Sequence, residues 1–289
     1  MDTTEVALLD RPEGRVAYTV QGEPGTPLVV LAPGMGDLRS AWRAVEPVLV
    51  AAGYRVAVTD LRGHGDSDTT FTTHGDVATA GDLLALVEHL GGPAVLVGHS
   101  MAGGAATWAA AERPDLVAGL VLVGPFLRDP TLSRAGRAIV RASYGLLFAR
   151  PWGARTWARY YGTTLTKGRK ATWHDEHVAQ IRSSMSDPAH LAQFRDLARQ
   201  LTHAPVEARV GEVQTAALAF VGTLDPDYSD PRAEGEWISQ AVGAQVVMVD
   251  DVAHYPHHQA PDVVAPRTVR FLAELPRDSS GAFVAGGRA

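Results

Sequence analysis

Ser100 lies where a short apolar run gives way to a run of small residues. Residues 95–104 read as three aliphatic side chains, then Gly-His-Ser, then Met-Ala-Gly-Gly. A serine on a sharp turn between a strand and a helix presents its hydroxyl for nucleophilic attack. The neighbouring glycines leave room for the turn and for a helix packed close to its strand. The pattern therefore predicts that Ser100 is a nucleophile at such a turn.

A serine hydroxyl is a weak nucleophile at neutral pH, so this chemistry needs a histidine that accepts its proton. His254 is the best candidate, because it closes a loop after the predicted strand Gln245–Val249. His257 and His258 are nearby candidates, but they fall where a final helix would begin. We therefore expect His254 to be the base.

The histidine in turn needs a carboxylate that fixes its tautomer and stabilises its charged form. Asp225 follows a predicted strand at 215–221, after an intervening glycine. Three further acids stay open as candidates, namely Asp129, Asp227 and Asp230. We expect Asp225 to be the partner of the base.

The composition argues against several other chemistries. The 289 residues carry a formal net charge of −6, so the chain as a whole lacks the positive charge typical of a nucleic-acid-binding protein. Because the chain contains no cysteine, it can form neither a disulfide nor a thiolate nucleophile. No His, Asp or Glu cluster has the spacing of metal ligands, and the glycine-rich turns lack the residues of a nucleotide-binding loop. We expect neither a metal nor a cofactor.

The N-terminal 20 residues lack a basic start followed by an apolar core, which is the pattern of a secretory signal. No apolar stretch approaches the roughly 18 residues that a membrane span needs. We therefore expect a cytoplasmic protein without an integral membrane segment. The sequence leaves its oligomeric state open.

Short apolar runs alternate with helical patterns along most of the chain. This alternation predicts a mostly parallel sheet with helices on both faces, whose ligands bind at the carboxyl ends of the strands. Ser100 lies at such an end. Strands are expected at 6–9, 15–21, 28–32, 54–59, 94–97, 117–123, 215–221 and 245–249, and helices at 39–52, 76–90, 101–112 and 261–274.

The alternation stops after Phe126, and from Arg128 to His203 only helical patterns occur. Asp187 followed by Pro188 is typical of a helix start. We therefore expect a core made of residues 1–127 and 206–276, with a helical insertion at 128–205. The last residues, 277–289, are rich in Gly, Ser and Ala, which predicts a flexible tail.

Over residues 6–275 the chain resembles the α/β-hydrolase superfamily. The motifs that carry the resemblance occur in the family's order. They are Pro-Gly-Met-Gly at 33–36, Asp-Leu-Arg-Gly-His-Gly-Asp-Ser at 60–67, Gly-His-Ser at 98–100, Gly-Thr-Leu-Asp at 222–225 and Ala-His at 253–254.

The resemblance implies an eight-stranded, mostly parallel sheet with an all-helical cap, and a triad of Ser100, Asp225 and His254. It also implies that the backbone N–H groups of Met35 and Met101 form the oxyanion hole, although core packing is an alternative role for Met35. His64 and His99 fit structural positions of the family.

Two positions depart from the family's pattern. Ala102 stands where the consensus of the nucleophile turn has glycine, and Pro33 replaces the histidine that usually precedes Gly34. Neither position is a member of the triad, so neither change excludes activity.

The helical insertion combines bases with aromatic residues. Residues 128–170 hold ten bases and one acid, while the rest of the chain carries a net charge of −15. A solvated basic face with aromatics packed on the core is one interpretation. Alternatively the cap binds an apolar substrate, with arginines meeting an anionic group, an acyl carrier protein or an anionic membrane. The candidate pocket residues are Trp152, Trp157, Tyr160 and Tyr161.

These observations favour hydrolysis of a carboxylic ester, lactone or thioester of a small apolar substrate through an acyl-enzyme. The same triad in relatives supports hydrolysis of carbon–carbon bonds and cofactor-free perhydrolysis. A ligand-binding, receptor-like protein on a hydrolase scaffold is the alternative outside enzymes.

Overall fold

The computed structural model describes residues 5–130 and 133–286, and it contains the α/β architecture that the sequence predicts. Eight strands form a single sheet in the order β1-β2-β4-β3-β5-β6-β7-β8. The first two pairings, β1 with β2 and β2 with β4, are antiparallel, and every later pairing is parallel. The strands are β1 Ala7–Arg11, β2 Gly14–Gln21, β3 Leu28–Ala32, β4 Arg55–Thr59, β5 Ala94–His99, β6 Val117–Val123, β7 Ala217–Gly222 and β8 Gln245–Val249.

Helices connect these strands and cover both faces of the sheet. The strands β3, β5, β6 and β7 are buried along their whole length, and their side chains are apolar on both faces except for His99 at the end of β5. The α-helices among the described residues are α1 Glu46–Ala51, α2 Asp76–Leu90, α3 Met101–Glu112, α4 Arg134–Leu147, α5 Gly153–Tyr160, α6 His174–Ser186, α7 Pro188–Gln200, α8 Ala204–Glu207, α9 Pro231–Val242, α10 Pro256–Gln259 and α11 Pro261–Glu274.

The apolar core is divided by the sheet. Side chains of α2, α3 and α9 pack with one face of the sheet, and side chains of α1 and α11 pack with the other. Most alanines and both glycines of α3 are buried, and its first turn lies against Gly98 of β5. This close approach holds the N-terminus of α3 directly behind the end of β5, where Ser100 lies.

The predicted helix at 39–52 is wrong in its extent. The structure has a 3-10 turn at Arg39–Trp42 and then the shorter helix α1. Pro47 explains the interruption, because proline has no N–H to donate to the preceding turn and is tolerated only in the first turn of a helix.

Between β6 and β7 the described residues form helices α4 to α8, with a π-helical turn at Tyr161–Leu165 and a 3-10 turn at Val210–Glu212. As expected, Asp187 caps α7, since its carboxylate accepts a hydrogen bond from the Ala189 N–H at 2.7 Å. The cap has its own apolar cluster, which includes Phe148, Trp157 and Phe194. That cluster also contacts Met35, so the cap packs on the loop after β3.

The C-terminal segment differs from the expectation of a flexible tail over 277–289. Phe283 is buried and stacks on Tyr54 with ring centroids 6.0 Å apart. The guanidinium of Arg277 lies over both rings and donates to the Tyr54 hydroxyl at 3.0 Å. The aromatic side chain of Phe283 therefore fixes this segment, whose composition alone is typical of a tail. Residues 287–289 of the predicted tail lie outside the described residues.

Among the described residues, no helix has both the length and the apolar character needed to cross a membrane.

Candidate active site

Ser100 occupies the turn between β5 and α3, and its backbone adopts an unusual conformation. Its φ is +55° and its ψ is −123°, a region that costs free energy for a residue with a side chain. The turn is tight, because a Cβ on Gly98 would lie 2.3 Å from the Ala102 carbonyl oxygen. Ala102 itself is fully buried within α3. The turn therefore forms with alanine where the family consensus has glycine.

The structure brings Ser100, His254 and Asp225 together from three separate loops. The Oγ of Ser100 lies 2.9 Å from Nε2 of His254, and Nδ1 of His254 lies 2.8 Å from a carboxylate oxygen of Asp225. All three side chains are buried. With Nδ1 donating to the carboxylate, Nε2 is left to accept the serine proton, which is the tautomer a general base needs.

Two carboxylates act on the imidazole of His254. Burial lowers the pKa of His254, but the charge and hydrogen bond of Asp225 and the charge of Asp227 outweigh it, so the pKa is raised to about 9. An Asp227 oxygen lies 3.8 Å from Nδ1. The Asp227 N–H donates to the other oxygen of Asp225 at 3.0 Å. Asp227 is thus a second, more distant carboxylate of the site.

The remaining candidates for the base and its acid partner lie away from Ser100 or have their own contacts. Asp129 accepts hydrogen bonds from Thr202 and the backbone of His203, and Asp230 caps α9. The rings of His257 and His258 are buried, and burial lowers the pKa of each.

The loop after β3 lies against the nucleophile turn. A Cβ on Gly34 would lie 2.9 Å from the Cβ of Ser100, so only glycine allows this approach. Among the described residues, no hydrogen-bond acceptor is found for the N–H of Met35, and the N–H of Met101 is in the first turn of α3, where helix donors have no partner within the helix. Both donors of the expected oxyanion hole are therefore available.

Two buried histidines hold the loops of the site through hydrogen bonds to their backbones. The Gly36 N–H donates to Nε2 of His64 at 3.1 Å, while Nδ1 of His64 donates to the Arg62 carbonyl. Burial lowers the pKa of His64 to about 4, so the ring stays neutral and can accept. The Nε2 of His99 donates to the His254 carbonyl at 2.9 Å. His99 thus ties the nucleophile turn to the loop that carries the candidate base.

Asp37 joins the loop after β3 to the cap, and sequence reasoning did not find it. Its carboxylate is fully buried and lies 2.7 Å from Nε2 of His177 on α6. The same carboxylate accepts from the Leu38 N–H at 2.7 Å and from the Tyr161 hydroxyl at 3.3 Å. Burial raises the pKa of Asp37, but His177, the Leu38 N–H and the nearby His99 together outweigh burial and lower the pKa.

The four aromatic residues expected to line a pocket fall into different places. Trp157 is buried and donates from Nε1 to the Gly36 carbonyl at 2.7 Å, so it covers the loop after β3. Tyr161 is buried against Asp37, and the Tyr160 hydroxyl donates to Asp227 at 3.2 Å. Trp152 is 47 % exposed and donates to the Leu146 carbonyl, which places it on the outside of the cap.

Phe126 is a further site residue that sequence reasoning missed. Its ring stacks on the His254 imidazole with centroids 5.3 Å apart, and its N–H donates to the Ser100 carbonyl at 3.2 Å. The signal for it was its position just after β6, which ends beside β5 at the same edge of the sheet.

Two groups of three side chains within the described ranges bring potential metal-ligand atoms within 4.8 Å of one another. One is Asp225, Asp227 and His254, whose histidine is already bonded through both nitrogens. The other is Asp37, His99 and His257, which come from three distant segments and so leave no spacing pattern in the sequence.

Residues 29–267 match the model of the alpha/beta hydrolase family. The chain belongs to this family. The expected superfamily is confirmed, and the expectation of a hydrolase agrees with this family.

Two curated relatives align with this chain over only part of their own length. Epoxide hydrolase A of Mycobacterium tuberculosis is 36 % identical over 131 residues, which is 44 % of this chain and 39 % of that protein. The pyrethroid hydrolase of Sphingobium wenxiniae is 34 % identical over 109 residues, which is 36 % of this chain and 38 % of that protein. The chain thus matches less than two fifths of the length of each.

Solved structures match nearly the whole chain. A putative lipase from Acinetobacter baumannii aligns with a TM-score of 0.78 and 20 % identity, covering 94 % of this chain and 91 % of that one. The enol-lactonase from Burkholderia xenovorans aligns with a TM-score of 0.76 and 22 % identity, covering 93 % of this chain and all of that one. At these identities the likeness shows the fold.

Proposed function

We propose that this hydrolase cleaves a carboxylic ester, lactone or thioester of a small apolar molecule through an acyl-enzyme on Ser100. The observation that carries the proposal is the continuous hydrogen-bond chain from Ser100 through His254 to Asp225, with distances of 2.9 and 2.8 Å. A nucleophile bonded to a base, which is itself oriented by a third group, is the arrangement that activates a serine.

The first half-reaction forms the acyl-enzyme. His254 accepts the Ser100 proton at Nε2 while Oγ attacks the carbonyl carbon, and Asp225 stabilises the imidazolium that results. The N–H groups of Met35 and Met101 donate to the oxyanion of the tetrahedral intermediate. His254 then gives its proton to the leaving alkoxide or thiolate, and the carbon–oxygen or carbon–sulfur bond breaks.

Water completes the reaction. His254 removes a proton from a water molecule, which attacks the acyl carbon under the same two backbone donors. Collapse of the second tetrahedral intermediate releases the carboxylic acid and returns the proton to Ser100. In a lactone both products remain one molecule, the hydroxy acid.

The nucleophile argues for acyl transfer over opening of an epoxide. Attack of Ser100 on an epoxide carbon would leave an alkyl ether, which the donors and base of this site do not help water to cleave. Attack on an ester leaves an acyl-serine, which the same machinery hydrolyses. The resemblance to epoxide hydrolases is therefore one of fold and partial sequence.

The aromatic side chains around the site support an apolar substrate. Phe126 stacks on His254, Trp157 covers the loop that carries Met35, and Tyr160 lies beside Asp227. Apolar and aromatic walls with a few polar groups are the usual composition of a small-molecule site.

The test is a substrate panel assayed with the wild-type protein and Ser100→Ala. The panel contains short p-nitrophenyl esters, lactones, thioesters, a vinylogous diketone and styrene oxide. We expect wild-type turnover of acyl substrates only, and loss of roughly 10³-fold or more in Ser100→Ala. Turnover of the diketone alone would redirect the proposal to carbon–carbon cleavage, and tight binding without any turnover would favour a receptor.

A further inference from the structure

The outer surface of the cap exposes a concentration of large apolar side chains. Within the described residues, the four most exposed large apolar side chains all lie within 14 positions of one another. They are Ile139 (69 %), Leu146 (67 %), Trp152 (47 %) and Leu147 (45 %). Single exposed apolar residues are ordinary on a protein surface, but several together mark an interaction site.

These side chains follow one another along α4 and the connection after it. Ile139 and Leu146 are seven residues apart on α4, which places them on the same side of the helix two turns apart. Leu147 is the last residue of α4, and the Trp152 indole donates to the Leu146 carbonyl at 2.9 Å. The indole therefore lies at the C-terminal end of α4, next to the two leucines. We call these four residues the cap patch.

Three arginines close in sequence to Trp152 have no carboxylate partner among the described residues. Arg150 is in the connection between α4 and α5, and Arg155 and Arg159 are one turn apart on α5, directly after Trp152. All three are exposed, and within the described part of the chain no carboxylate lies within 4.0 Å of their nitrogens. The cap thus presents apolar side chains beside positive charge, on a chain whose other residues are net negative.

This combination fits one kind of partner better than a second copy of the chain. At a two-fold symmetric contact the same patch faces itself, so the arginines of one copy would approach those of the other. At a bilayer with anionic headgroups, isoleucine, leucine and tryptophan enter the acyl boundary while arginines remain among the phosphates. Tryptophan is enriched at that depth, because one end of its ring is apolar and the other carries an N–H donor.

We propose that the cap patch, with Arg150, Arg155 and Arg159, docks the protein peripherally on an anionic lipid bilayer. The inference does not rest on the proposed hydrolysis, since none of these residues touches Ser100, His254 or Asp225. Docking would bring Tyr160, at the end of α5 beside Asp227, close to the bilayer surface. An apolar substrate dissolved in the lipid would then reach the cap without crossing water.

The test is co-sedimentation of the full-length protein with large unilamellar vesicles. One set is phosphatidylcholine alone, and the other contains about 30 % phosphatidylglycerol. We expect binding to the anionic vesicles, at least about tenfold weaker binding to the neutral ones, and loss of binding in about 0.5 M salt. Leu146→Asp and Ile139→Asp should each weaken binding about tenfold. Because both side chains are exposed, the variants should fold normally.

Val77→Asp is the matched control. Val77 is an exposed apolar residue on α2, outside the cap, so its replacement should leave vesicle binding unchanged. Arg155→Glu combined with Arg159→Glu should weaken binding to anionic vesicles and leave the residual binding to neutral ones unchanged. Vesicles should change the total tryptophan emission of the wild-type protein, and this change should be lost in Trp152→Phe.

Several outcomes would overturn the inference. The first is no binding of the wild-type protein, and the second is equal binding by Leu146→Asp and Val77→Asp. Equal binding to both kinds of vesicle would remove the role of the arginines. A dimer in light scattering that Leu146→Asp dissociates would assign the cap patch to a second copy of the chain.

Discussion

The carboxylate of Asp37 lies 2.7 Å from Nε2 of His177, although 140 residues separate them in the sequence, and both side chains are fully buried. Asp37 is two residues after Met35, whose N–H we assign to the oxyanion hole. His177 is on α6 of the cap. This single contact therefore joins the loop that carries the expected oxyanion donor to the helices between β6 and β7.

We predict that Asp37→Asn lowers both stability and turnover. Replacing the carboxylate weakens a buried hydrogen bond to His177, and a buried polar group left without its full partner typically costs about 1–3 kcal/mol. Freeing the loop should displace the Met35 donor, so kcat should fall by about tenfold or more while KM changes little. Urea unfolding and ester hydrolysis measure the two effects.

Asp175→Asn is the control for that variant, since Asp175 is an exposed acid on the same helix as His177. It should unfold at the same urea concentration as the wild type. If Asp37→Asn kept wild-type kcat, Asp37 would have no role in positioning the Met35 loop.

The pH dependence of kcat/KM should follow His254. The base must be neutral, and its pKa is raised to about 9, so kcat/KM should rise with pH up to that value and then level off. Asp227→Asn removes a nearby negative charge, so the midpoint of the rise in kcat/KM should move to a pH lower by about one unit. Background-corrected ester hydrolysis between pH 6 and pH 10 measures both profiles, and identical midpoints would exclude any electrostatic role for Asp227.

The same shift has a consequence for folding. A histidine whose pKa is higher in the folded than in the unfolded state contributes stability that is complete below the unfolded value and is lost as pH rises through the folded one. For His254 this window extends from 6.5 to about 9.

Trp157 should support catalysis through the loop it covers. Its Nε1 donates to the Gly36 carbonyl, and Gly36 itself has a φ of +75° with the Trp157 ring filling the space where a Cβ would be. Trp157→Phe keeps an aromatic ring but removes this bond, and should lower kcat/KM about tenfold. Trp152→Phe changes an exposed aromatic side chain of the cap and is the matched control. This variant should hydrolyse a water-soluble ester at the wild-type rate.

The C-terminal segment offers a separate test of stability. Phe283→Ala removes a buried ring from its stack on Tyr54 and should lower the free energy of unfolding by about 3 kcal/mol. Val284→Ala changes the adjacent but exposed side chain and should be neutral within about 0.5 kcal/mol. Urea unfolding of the two variants measures this difference. Equal unfolding midpoints would mean that the Phe283 ring is not packed on Tyr54 in solution.

Local sequence patterns predicted the elements that carry the site. Alternating apolar runs and helical periodicity placed β3, β5, β6, β7 and β8, and the order of short motifs at their ends pointed to Ser100, Asp225 and His254. These features were accessible because each depends on neighbouring residues, and because parallel strands bring their carboxyl ends to one edge of the sheet.

Contacts between distant segments were not accessible in the same way. Nothing near Asp37 indicates His177, and nothing near Gly36 indicates Trp157, since each pair is set by how the cap packs on the loop after β3. Trp152 and Trp157 have similar local sequences, yet one is exposed and the other buried. A single aromatic residue, Phe283, fixes a segment whose composition is that of a flexible tail.

Covalent labelling tests the central assignment most directly. The wild-type protein is treated with a fluorophosphonate and digested, and the modified peptide is sequenced by mass spectrometry, alongside Ser100→Ala and His254→Ala. We predict one adduct on Ser100 in the wild type, none in Ser100→Ala, and labelling slowed at least about 10²-fold in His254→Ala. An adduct on another residue, or undiminished labelling of Ser100→Ala, would contradict the assignment of Ser100 as the nucleophile.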